Sequence, residues 1–182
     1  MAKAYILLAD GYEVIEALAS IDVMHRADID IVRVAVGNSL DVTSSHNLAT
    51  IHCDCTIDEA RFEDGDALIL PGGNPGYINL RTSAKVCDAV HNFYNSGRIV
   101  AAICGAPTVL SAAGVAHRRE ITCHSSVISQ MGEYTYRGGS VVEDGNLITG
   151  AGAGVSVEFA LAVAARLTDS KRLSQVRRGM EL

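Results

Sequence analysis

Three short runs in this chain are apolar or aromatic at every position: residues 4–9 (Ala-Tyr-Ile-Leu-Leu-Ala), 67–70 (Ala-Leu-Ile-Leu) and 99–103 (Ile-Val-Ala-Ala-Ile). A strand with one wet face alternates apolar and polar residues, whereas a continuous run needs cover on both faces. Helical spacing lies between the runs. Val14, Ala17, Leu18, Ile21 and Met24 predict a helix over 13–26, and residues 83–95 predict another, closed by Ser96-Gly97. Residues 30–36 read as a further strand and 155–167 as a last apolar helix. Strands joined by helices predict a mostly parallel, doubly wound α/β sheet covered on both faces, with residues 1–182 as one domain.

The remaining segments carry weaker signals. Residues 40–53 suggest a hairpin around Ser44-Ser45-His46-Asn47, and 121–122 begin a short strand. Residues 140–143 and 146–149 flank Asp144-Gly145, a hairpin signal. Arg177-Arg178 reads as a solvated end. Hydrophobic residues make up 48% of the chain and charged residues 20%, as expected of a globular fold. The net charge of −6 argues against nucleic-acid and anionic-membrane partners. No apolar run approaches the length of a membrane span. The five cysteines are odd in number and show no disulfide framework. The expectation is therefore a reduced, cytoplasmic chain without a signal peptide.

One cysteine stands out by position. Cys104 follows the 99–103 strand, and Gly105-Ala106-Pro107-Thr108-Val109-Leu110 reads as the tight start of a helix. A thiol at such a turn sits at the lip of the sheet and faces unpaired backbone N–H groups, which favour the thiolate. The same turn carries the serine of many hydrolases. In a parallel sheet the site lies beyond the carboxyl ends of the strands. This brings together the loop 10–16, the loop 71–74 and Cys104, so Glu16, Gly73 and Cys104 are expected to share a pocket. Taken singly, each has an ordinary reading: a packed cysteine, a first-turn glutamate favoured by the helix dipole, glycines that permit a turn.

Two other motifs are weaker. His52-Cys53-Asp54-Cys55 has the density of metal ligands, but on a strand Cys53 and Cys55 share one face and His52 and Asp54 the other, so no metal is expected. That stretch is placed near a dimer surface. The glycine-rich run 150–154 follows the wrong strand for a dinucleotide site, and the first turn carries Asp10, Glu13 and Glu16, which repel a pyrophosphate. No cofactor is expected.

Five segments together resemble the ThiJ/PfpI superfamily, in the branch of the Parkinson-disease protein deglycase. They are Ala9-Asp10-Gly11-Tyr12-Glu13-Val14-Ile15-Glu16, Leu70-Pro71-Gly72-Gly73-Asn74, Ala101-Ala102-Ile103-Cys104-Gly105-Ala106-Pro107, Ile121-Thr122-Cys123-His124 and Glu158-Phe159-Ala160-Leu161. The resemblance implies a flavodoxin-like or class I glutamine-amidotransferase-like sandwich and a homodimer. It implies Cys104 as the reactive cysteine, Glu16 as its carboxylate neighbour and His124 as a nearby histidine. Gly73 and Gly105 match the oxyanion-binding N–H pair, and Asn74 joins them on the substrate side. Two departures stand out. Gly105 replaces the histidine that follows the cysteine in protease-like members, and Gly152-Ala153-Gly154 replaces Gly-Pro-Gly, with no basic residue at Ala151.

The expected chemistry follows from two acids sharing one proton. A neutral Glu16 donates to the Cys104 thiolate, which attacks a small α-oxoaldehyde. This is the cofactor-free glyoxalase or deglycase reaction that the resemblance implies. Two alternatives use the same thiol. One is a redox sensor or chaperone-like stress protein whose Cys104 is oxidised to a sulfinate. The other is an amidase- or peptidase-like hydrolase of the same fold, which would have to recruit His124 as its base.

Overall fold

The computed structural model describes residues 1–182. The chain runs β1 (Lys3–Leu8), α1 (Val14–Arg26), β2 (Asp30–Ala35), the hairpin β3 (Asp41–Thr43) and β4 (Thr50–His52), and β5 (Cys55–Thr56). It continues through β6 (Ala67–Leu70), α2 (Gly76–Thr82), α3 (Ala84–Asn95), β7 (Ile99–Ile103), α4 (Thr108–Ala112), β8 (Glu120–Ile121) and β9 (Thr135–Tyr136). The hairpin β10 (Val141–Asp144) and β11 (Leu147–Gly150), then α5 (Ser156–Leu167) and α6 (Ser170–Gly179), complete it. The main sheet has seven strands in the order β10-β11-β7-β6-β1-β2-β5. Every neighbouring pair is parallel except β10 with β11.

The three apolar runs form the centre of this sheet, and their alternation feeds two cores. Ala4, Ile6, Leu8, Ile69, Ala101 and Ile103 face α1 and α5, where Met24 and Phe159 pack against them. Tyr5, Leu7, Leu68, Leu70, Val100 and Ala102 face the other way, onto Val90 and Phe93 of α3 and Leu110 of α4. This is why no position in the runs is polar. Burying one such aliphatic side chain stabilises the fold by about 1.5–3 kcal/mol. No helix is long and apolar enough to cross a membrane.

The winding direction reverses at β1. From β1 the chain crosses to β2 on one side, and later returns to place β6 on the other. The carboxyl ends of β1, β6 and β7 are therefore adjacent, at the switch point where such folds hold ligands.

The structure departs from, or adds to, the sequence expectations at four places. Helix α2 begins directly after Asn74-Pro75, where Pro and Gly mask the helical segment. The helix after Cys104 starts only at Thr108 and spans five residues, so it offers a weaker dipole than a full helix. Arg177 and Arg178 are exposed, as expected, but they lie in the last turn of a helix, α6, which Asp169 caps by accepting from Arg172 N–H at 2.8 Å and which buries Val176. Finally, β4 ends at His52 and β5 starts at Cys55, so the strand breaks between the cysteines. Cys53 packs with the α1 side and Cys55 with the α3 side. Their polar neighbours have other partners: His52 hydrogen-bonds Asp41, and Asp54 forms an ion pair with Arg33.

Candidate active site

Cys104 occupies the first position beyond β7 with a φ of 64°, a left-handed conformation unfavourable for a residue with a Cβ. Flanking hydrogen bonds hold it there. Its N–H donates to the Gly150 carbonyl at 2.9 Å and its own carbonyl accepts from His124 N–H at 2.9 Å. The side chain is half-buried. Strain held by the surrounding structure at a half-buried nucleophile is the pattern of an elbow turn.

Glu16 comes to the same point from α1, in the first turn and completely buried. Its Oε2 accepts from Gly72 N–H at 2.6 Å, while Oε1 has no partner. Gly72 is the contact between the two groups. A Cβ on Gly72 would lie 2.7 Å from the Cys104 Cβ, 2.9 Å from Glu16 Oε2 and 3.1 Å from the Cys104 Sγ. Only a glycine lets this loop pass between the carboxyl group and the thiol.

Burial, opposed by the hydrogen bond from Gly72, pushes the Glu16 carboxyl up to about 7. Burial, together with the negative charge of Glu16, pushes the Cys104 thiol up to about 12, while the N–H groups of Gly105 and Gly73 act in the opposite direction. Cys104 is thus not a low-pKa thiol by itself, contrary to the simplest sequence expectation. The two groups titrate as a pair that keeps one proton between these limits. Placing that proton on the orphaned Oε1 removes a charge from the fully buried member and leaves it on the sulfur, which faces two N–H donors.

The sequence-expected residues separate into two groups. Glu16, Gly73, Gly105 and Cys104 converge. Asn74 is exposed and lines a neighbouring polar groove of about 410 Å³ with Asp10, Ser44 and His46. The His124 ring lies beside Gly152, and its Nδ1 engages Ser126 through the hydroxyl at 2.8 Å and the backbone N–H at 3.2 Å. The ring makes no hydrogen bond to Cys104 or Glu16. Neither Cys104 nor Glu16 lines the surface concavities formed around α6, the 153–158 turn, the 132–135 loop or the Asn74 groove.

One participant was not legible in the sequence. A Cβ on Gly105 would lie 2.6 Å from the Tyr77 ring, so the ring occupies the space that a side chain at 105 needs. The departure from the protease-like pattern has a physical cause: a histidine after the nucleophile has no room here. Only the small residue at 105 hinted at a large neighbour.

Comparison with known proteins agrees with this fold. The family model described as the DJ-1/PfpI family matches residues 2–166. The chain belongs to the DJ-1/PfpI family. The Drosophila melanogaster protein dj-1beta is 33% identical over 180 residues, covering 98% of this chain and 96% of that protein. A Caenorhabditis elegans relative named glutathione-independent glyoxalase DJR-1.2 is 31% identical, covering 96% of this chain and 93% of its own. The crystal structure of Drosophila melanogaster DJ-1beta superposes with a TM-score of 0.95 at 32% identity, covering 100% of this chain and 98% of that one. DJ-1/PfpI membership accounts for the α/β sandwich.

Proposed function

We propose that this protein is a Cys104-dependent, cofactor-independent glyoxalase or protein deglycase for small α-oxoaldehydes or their adducts. The observation that carries the reading is the buried Glu16 carboxyl group beside a half-exposed cysteine that faces two backbone N–H donors. The glyoxalase named among its relatives supports it.

With methylglyoxal the Cys104 thiolate adds to the aldehyde carbon. The oxygen takes the developing charge, accepts from Gly73 and Gly105 N–H and receives the Glu16 proton, giving a hemithioacetal. The Glu16 carboxylate then removes the proton from that carbon. An enediolate forms, Glu16 returns the same proton to the neighbouring carbon, and the hydroxyl proton passes from the former aldehyde oxygen to the former ketone oxygen. The former aldehyde carbon is oxidised to a thioester while the ketone is reduced to an alcohol, so no external oxidant is needed. Water hydrolyses the thioester, releasing lactate and the thiol. Purified protein should convert methylglyoxal to lactate, and Cys104→Ser should abolish it. Undiminished lactate from that variant would refute the reading.

The same donors favour a second reading, a redox sensor. A sulfinate at Cys104 would accept hydrogen bonds from Gly73 and Gly105 N–H and from neutral Glu16. Mild peroxide should add two oxygens selectively at Cys104, and even oxidation of all five cysteines would discard this reading. A peptidase-like mechanism has less support, because Tyr77 fills the place of a base at 105 and His124 is turned to Ser126. The proposal includes a homodimer, for which exposed Ile15 and Leu18 on α1 offer an apolar surface. Sedimentation as a monomer at micromolar concentration would remove that part.

A further inference from the structure

The donors at Cys104 belong to the main chain, so peptide planes rather than rotamers set their aim. In a trans peptide the N–H and C=O point in opposite directions. The Gly105 N–H shares its plane with the Cys104 carbonyl, which accepts from His124 N–H at 2.9 Å. The Gly73 N–H shares its plane with the Gly72 carbonyl, which accepts from Glu13 N–H at 2.9 Å. Each donor is anchored from behind by a residue on another segment. The His124 imidazole is meanwhile committed to Ser126, where its Nδ1 caps the short turn Ser125–Gln130.

We propose that His124 is a positioning residue that acts through its main-chain N–H, aiming the Gly105 N–H at the sulfur, and that its imidazole takes no part in proton transfer. The inference rests on Cys104 being the reactive thiol of the proposed function. Its test reads thiol reactivity, so a failure to form lactate leaves it standing.

The backbone at His124 allows an unusually clean separation of ring from N–H. Its φ of −63° and ψ of 141° are those of proline in an extended segment. His124→Ala removes the ring and keeps the N–H, whereas His124→Pro removes both without demanding a new φ. The rate of Cys104 carbamidomethylation is measured against pH by peptide mass spectrometry in wild type and both variants. The expected result is a His124→Ala profile within about twofold of wild type, and a His124→Pro profile displaced to higher pH and about tenfold slower near neutrality. A His124→Ala loss equal to that of His124→Pro would assign the effect to the ring and overturn the proposal. So would a folded His124→Pro that reacts like wild type. A second measurement needs no variant: the scalar coupling across the hydrogen bond from the His124 nitrogen to the Cys104 carbonyl carbon. Its presence, with an unaltered His124→Ala profile, supports the inference even where His124→Pro does not fold. Its absence overturns it.

Discussion

Cys104 and Cys53 both sit beside acidic groups, and burial raises the thiol of each, Cys53 to about 11 and Cys104 to about 12. Their surroundings differ in kind. Cys53 is buried at 1% exposure against apolar side chains, and its charged neighbours are the exposed Arg33–Asp54 pair. Cys104 is half-buried, faces two backbone N–H groups and adjoins a carboxyl group that is itself buried enough to keep a proton. Exposure alone does not make the difference, since Cys55 and Cys87 are also half-buried. What distinguishes Cys104 is a neighbour that can exchange a proton with it and donors fixed by the main chain.

The largest effect is expected from Cys104→Ser, which should lower lactate formation at least ~1000-fold, while Cys53→Ser leaves turnover unchanged. Equal losses in the two variants would erase the distinction. Next comes Glu16→Ala, which removes the group that exchanges a proton with the sulfur. It should lower turnover about 100-fold and slow Cys104 alkylation near neutrality, with Glu16→Gln, which keeps an N–H donor, intermediate. Faster alkylation in Glu16→Ala would mean that Glu16 acts as a resident negative charge instead.

A smaller effect sharpens the role of packing. Gly105→Ala forces its Cβ against the Tyr77 ring and should slow alkylation about tenfold by turning the 105 peptide. Adding Tyr77→Ala should restore most of that rate. A double variant no faster than Gly105→Ala would show that the ring is not the obstacle.

The last effect is on stability. The Glu16 carboxyl group ionises near 4.5 in the unfolded chain, whereas the folded Glu16–Cys104 pair gives up its first proton only near 7, so this contribution is fully present below about pH 4.5 and is lost as pH rises through about 7. Wild type should lose about 2–3 kcal/mol across that window relative to Glu16→Gln, as read by denaturant unfolding at each pH. Parallel curves for the two proteins would contradict the burial argument.

The parts that were legible in the sequence are those whose side chains report their surroundings. The strands at 4–9, 67–70 and 99–103 announced themselves because both faces are covered, and their adjacency brought the loops with Glu16, Gly73 and Cys104 together. Helices α2 and α6 were hidden, one behind Pro75-Gly76 and the other behind its charged residues, although Asp169 with Leu173 and Val176 at helical spacing was an available signal. The Tyr77–Gly105 contact joins distant segments and leaves no local pattern. The anchoring of the two donors is invisible to sequence for a deeper reason. Any residue but proline supplies an N–H, so neither Glu13 nor His124 advertises that use.

The reactivity of Cys104 depends on where one proton resides when the pair carries one negative charge. Infrared difference spectroscopy of wild type against Glu16→Gln and Cys104→Ser, at about pH 8, reads both sites at once. The predicted result is a carboxylic-acid carbonyl band from Glu16 with no S–H band from Cys104. A Glu16 carboxylate band together with a Cys104 S–H band would contradict it.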